Sequence, residues 1–180
     1  MRRAGGTALT VLAVLAPLAV VGGLLWFGRV HAPEPGRSLF GAAAGEEALR
    51  LKSQLGSALF GLALVQVLLA LWMYRGGAKV RRARTAHRLG GAAAFVLSVP
   101  IAQHCLLSYG VRFTDARVAV HSLAGCFLYG AFAAKVLLVR HGRLPGWALP
   151  AAGGALFCAV GLLWWTAALW FLNDYSTPGF

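Results

Sequence analysis
Two stretches decide the fold: Arg88–Tyr109, RLGGAAAFVLSVPIAQHCLLSY, and Arg117–Arg140, RVAVHSLAGCFLYGAFAAKVLLVR. Each is apolar over the length of a bilayer crossing, which takes about 20 residues of helix. Each carries one histidine inside its apolar run. His104 sits a little over a turn before the end of the first, and His121 about one turn after the start of the second. The link Gly110–Ala116 reads as too short to let the helices part. The chain then reverses direction, and both imidazoles come to roughly 6–8 Å below their helix ends, at about 1.5 Å per residue. Ionisable side chains at membrane depth are costly and point to function. A matched pair of imidazoles is what a six-coordinate b-type haem needs.

Composition supports the membrane reading. Of 180 residues, 59% are hydrophobic and 12% charged, against about 25% charged in soluble domains. The net charge of +12 reads as topology rather than as nucleic-acid binding, because its carriers cluster between apolar runs. Cys105, Cys126 and Cys158 all lie within apolar runs without CxxC spacing, which argues against a zinc site or a disulfide framework.

The chain reads as one integral membrane domain over 1–180, with spans at about 7–27, 54–74, 88–109, 117–140 and 146–172 and an outer loop at 28–53. The expected fold is all-α: a polytopic membrane protein of five transmembrane helices, the last four forming an antiparallel bundle. The first run has two readings, a signal peptide or an uncleaved helix, and its length favours the helix. Glu46–Lys52 has helical charge spacing and reads equally as a short interfacial helix or a solvated loop. Arg75–Arg88 is the most basic stretch and suits a cytoplasmic anchor on anionic lipid. With the N-terminus inside, eleven of the 17 Lys and Arg lie inside and all five acids outside. The expected location is the plasma membrane, multi-pass, with the N-terminus cytoplasmic and the C-terminus outside.

Depth sorts the five histidines. His104 and His121 form an outer pair; His87 and His141, flanked by arginines, form an inner pair on the same two helices. Gly125, one turn after His121, and Gly130 leave room for a flat macrocycle. Arg112, Arg117 and Tyr109 lie at the outer mouth, where propionates would surface; arginine suits carboxylates through bidentate pairing. The candidate site is therefore His104 and His121 as iron ligands, with Arg112, Arg117 and Gly125 around the cofactor. His87 and His141 would hold a second haem. The competing reading makes His104 and His121 structural polar groups that hydrogen-bond across the bundle. Lys135, in the inner half of the fourth span, either snorkels or serves a proton or quinone site.

The segments His87-Arg88-Leu89-Gly90-Gly91, Gln103-His104-Cys105-Leu106, Val120-His121-Ser122-Leu123-Ala124-Gly125-Cys126 and Leu144-Pro145-Gly146-Trp147-Ala148-Leu149-Pro150 resemble a family of small actinobacterial membrane proteins with no assigned activity. At a coarser level the last four spans are similar to the haem-binding cores of cytochrome b561 and the ferric-reductase-like membrane domains. That likeness implies b-type haem and transmembrane electron transfer.

Two functions from different classes stay open. One is a b-type cytochrome-like electron-transfer protein, exchanging electrons with a quinone or a redox partner protein. The other is a non-enzymatic structural or accessory membrane subunit without cofactor. A transporter is disfavoured, since no span carries an acid and no inverted repeat is visible. No Rossmann glycine motif or nucleotide loop is present, so any reductase activity would depend on a partner. Whether the chain is an enzyme, and whether it forms an oligomer, are not decided by its sequence.

Overall fold
The computed structural model describes residues 2–41, 43–76, 80–141 and 146–180, with side chains for these except 2–13, 80 and 141. Five helices form: α1 Arg2–Val30, α2 Gly45–Arg75, α3 Val80–Ser108, α4 Ala116–His141 and α5 Ala148–Leu163. α5 runs on through a π-helical stretch, Trp164–Leu169, and a last turn, Trp170–Leu172. No strand forms among the described residues, only an isolated bridge between Leu39 and Ala43. Four helices are long and apolar enough to cross a membrane, and α1 contributes a shorter apolar helix, Val14–Val30.

The elements outrun the apolar runs that mark them. α2 begins at Gly45, so Glu46–Lys52 is its first two turns rather than a separate interfacial helix or a loop, and the outer connection shrinks to 31–44. Glu46 and Glu47 stand in the first turn of α2, where acids complement the exposed backbone N–H groups. α3 likewise starts eight residues before Arg88. At 31 residues, α2 is about 46 Å long, more than the roughly 30 Å hydrocarbon core.

The pairing of helices differs from the sequence reading. α2 packs on α3, α4 packs on both α1 and α5, and α5 with its π-helical stretch closes back on α2. α3 and α4, although consecutive, are not among the pairs whose backbones pack closely. A link of seven residues can span about 23 Å when extended, so it does allow the two helices to stand apart. They meet through large side chains instead: Phe95 stacks on Phe132 at 4.3 Å, and Ser98 Oγ lies 3.1 Å from Tyr129 OH.

α1 is built into the bundle at two glycines. A Cβ on Gly130 of α4 would meet the Pro17 carbonyl oxygen at 3.0 Å. Gly130 thus makes room for α1, not for a macrocycle. At the other end the Gly28 carbonyl accepts the Val111 N–H at 2.7 Å. That brings the positive-φ Gly110 so close that a Cβ there would sit 2.7 Å from the Gly28 oxygen. The four-helix core comprises Leu59, Leu128, Ala159 and Val160, with Phe60, Ala94, Leu97 and Tyr129 against them.

Candidate functional site
Between the core and the α3–α4 turn the helices leave a cavity of about 560 Å³. Its floor is Leu59, Leu128, Val160 and Leu163, with Ser98 and Tyr129; its mouth is Pro35, Tyr109, Arg112, Thr114 and Trp170. The gap exists because α3 and α4 are held apart by the phenylalanine and tyrosine rings below it. From Arg117 to Tyr129, both in the wall, is twelve residues, or about 18 Å of helix. Ligand sites are typically apolar cavities of about 300–1,000 Å³ with few polar groups.

His121 lines this cavity. Its Nδ1 lies 2.9 Å from Thr166 Oγ1, and that hydroxyl donates to the Leu162 carbonyl at 2.6 Å. The hydroxyl's one proton is therefore spent, so Nδ1–H of His121 donates to it. Nε2 is left as a bare acceptor, with no partner among the described residues. Thr166 is fully buried, and it lies in the π-helical stretch. Such widened turns displace backbone groups from the regular ladder and recur at functional sites. Here the Thr166 carbonyl takes a bond from Arg117 Nη1 at 2.7 Å, while the same guanidinium lies 4.0 Å over the Trp170 ring.

His104 is placed elsewhere. It is 4% exposed, and its Nε2–H donates to the Arg37 carbonyl at 2.9 Å. The ring therefore holds down the 31–44 connection. It packs edge-on to Tyr109 at 6.0 Å and is not part of the cavity wall. The structure thus gathers His121, Arg112, Arg117 and Gly125 around one cavity and leaves His104 behind Tyr109. The two imidazoles do not face each other across a gap; each bonds to another part of the protein. Gly125 is roomy, its nearest neighbour being Leu163 Cδ2 at 3.8 Å. His87 lies at the far end of α3, half-buried, with Nδ1 unpartnered. The side chain of His141 lies outside the described residues. Among the described residues no group of three or more His, Cys, Asp or Glu is placed to hold a metal ion.

Several wall residues escaped the sequence reading: Lys52, Ser53, Ser108, Tyr129 and Thr166. One signal was present. Thr166 is the only hydroxyl residue between Gly146 and Leu172, and a lone hydroxyl in an apolar span needs an internal partner. Lys52 gives no such signal, because its stretch reads as outer loop whereas the structure puts it in the second turn of α2. Its Nζ lies 4.4 Å over the Tyr109 ring, and Arg112 Nε donates to the Tyr109 carbonyl at 2.9 Å. Outside the spans, Asp115 accepts the Val118 N–H at 2.9 Å and a bond from Thr114 at 3.1 Å. The Val118 bond is the main cause holding its carboxyl below the usual range, aided by Thr114 and Arg117.

Residues 9–179 match a family of unknown function, DUF6529, and the chain belongs to it. No curated protein and no solved structure matches it.

Proposed function
We propose that this chain is an integral membrane protein that binds an apolar small molecule in the cavity between α2, α3, α4 and α5. Insertion is supported by the apolar residues that face outward, among them Leu64, Val65, Leu68 and Leu71 of α2, Val96 of α3 and Phe127 of α4. In water such a surface would be a large exposed patch; in lipid it is the expected exterior. The charge distribution supports a plasma-membrane orientation with the N-terminus cytoplasmic and the C-terminus outside. The observation that carries the binding reading is the cavity of about 560 Å³ with one oriented imidazole in its wall. The test is to purify the protein from membranes, extract it with organic solvent and identify what co-purifies by mass spectrometry. Gly125→Phe should fill the cavity and abolish that co-purification while the helical content is kept. An extract identical between wild type and Gly125→Phe ends the reading.

The tautomer of His121 favours a second reading, a b-type haem in electron transfer. A ligating histidine usually donates its other ring N–H to a fixed partner, as His121 does to Thr166. His121, through Nε2, would be the one imidazole to hold the iron, since His104 Nε2 is spent on the Arg37 carbonyl. Arg112 and Lys52 stand at the mouth for the propionates, and the electron-exchange partner would be a quinone or a redox protein. When bound, the haem would supply one-electron chemistry. A reduced-minus-oxidised spectrum tests it: His121→Ala should bleach the Soret band and His104→Ala should not. Colourless protein from haem-replete cells rules this version out. The alternative of a cofactor-free structural or accessory subunit predicts that nothing co-purifies.

A further inference from the structure
We infer that the ligand of this cavity is an anionic amphiphile, its carboxylate or phosphate held at the mouth between Lys52 and Arg112. This rests on the binding reading above and names the chemistry that the cavity selects. The wall contains three cations, Lys52, Arg112 and Arg117, and no Asp or Glu. Among the described residues the one ion pair is Arg37–Glu34, so none of the three is ion-paired, although the Asp115 carboxylate feels the Arg117 charge. Asp115, the acid nearest in sequence to Arg112 and Arg117, is occupied by the Val118 N–H and Thr114.

The three cations are not equivalent. Arg117 is committed to the Thr166 carbonyl and the Trp170 ring, so it builds the wall. Lys52 and Arg112 both converge on Tyr109, one over its ring and one on its carbonyl. The ammonium of Lys52 and the terminal nitrogens of Arg112 have no acceptor among the described residues. A second observation points the same way. Ser108 lines the cavity and is 0% exposed, and its Oγ has no hydrogen-bond partner. Buried polar groups are nearly always paired, so an unpartnered hydroxyl in a cavity wall is a position for a ligand acceptor. The apolar body of the ligand then runs toward Leu59, Leu128 and Val160 along a wall about 18 Å deep.

The experiment uses the full chain in lipid nanodiscs and the quenching of its tryptophans by brominated probes; Trp164 and Trp170 are in the wall. The probes are brominated hexadecanoic acid, the matching brominated alcohol, and a brominated lysophosphatidic acid. At least one anion should bind about tenfold or more tightly than the alcohol, the usual scale of one charge-assisted hydrogen bond. Which anion leads identifies a carboxylate or a phosphate head. Lys52→Gln with Arg112→Gln should erase the preference while the alcohol still binds, and Lys52→Arg should keep it. Equal binding of anions and alcohol, or a preference unchanged in the double variant, overturns the inference and leaves the cavity reading standing. Failure of every probe to quench overturns both.

Discussion

The Nδ1 of His121 on α4 and the hydroxyl of Thr166 in the π-helical stretch lie 2.9 Å apart, and the hydroxyl donates its own hydrogen bond to the Leu162 carbonyl. This pair of hydrogen bonds orients the one imidazole in the cavity wall and ties α4 to the end of α5. Thr166→Val keeps the shape and removes the acceptor, leaving a buried ring N–H unpaired. The expected cost is about 1–3 kcal/mol. Thr166→Ser should recover most of it. Thermal unfolding in detergent of the three proteins checks this; equal midpoints for the threonine and valine forms would show that the bond is not formed.

His104 acts on the outer connection rather than on the cavity. His104→Ala removes its bond to the Arg37 carbonyl, a loss of about 1 kcal/mol. Limited proteolysis should then cut within 31–44 faster than in wild type, while ligand co-purification is unchanged. Loss of the ligand with no change in cleavage would return His104 to the binding site.

Gly130 sets the approach of α1. Gly130→Val places side-chain carbons against Val21 and the Pro17 carbonyl, an overpacking that costs about 1–3 kcal/mol. Gly153, where a Cβ meets nothing within 4 Å, is the control site. The Gly130 variant should unfold at a lower temperature than wild type and Gly153→Ala should not; equal midpoints for both variants would contradict the α1–α4 contact.

Asp115 caps α4, and its carboxyl is held below its ordinary pKa of about 3.9, chiefly by the Val118 N–H. A carboxyl lowered in the folded state contributes fully above the unfolded pKa. Its contribution is lost as pH falls through the lowered folded value. Wild type should therefore lose more stability than Asp115→Asn as pH drops below about 4, and the two should run parallel above about 5. Unfolding midpoints across that range test it, with parallel curves throughout as the contrary outcome.

The helices were legible before any coordinates. An apolar run of about 20 residues has few alternatives to a helix, because every backbone group must be satisfied within the segment. Arg112, Arg117, His121 and Gly125, singled out together in the sequence, do line one cavity. What the sequence did not carry was direction around each helix axis. A lipid-facing helix is apolar on its outer side and its inner side alike, so periodicity gives little guidance to which face meets which neighbour. Spacing predicts one depth for His104 and His121, yet the bundle turns one toward the Arg37 carbonyl and the other toward Thr166.

By itself, then, the order of residues determined how many helices form, and it flagged the polar side chains that need partners. Only the tertiary structure decided that α3 and α4 stand apart, that α1 leans on Gly130, and that α5 widens at Thr166 to receive Arg117. Those outcomes depend on the shapes of side chains far apart in the chain. Phe95 stacked on Phe132 at 4.3 Å sets a spacing that neither residue declares alone.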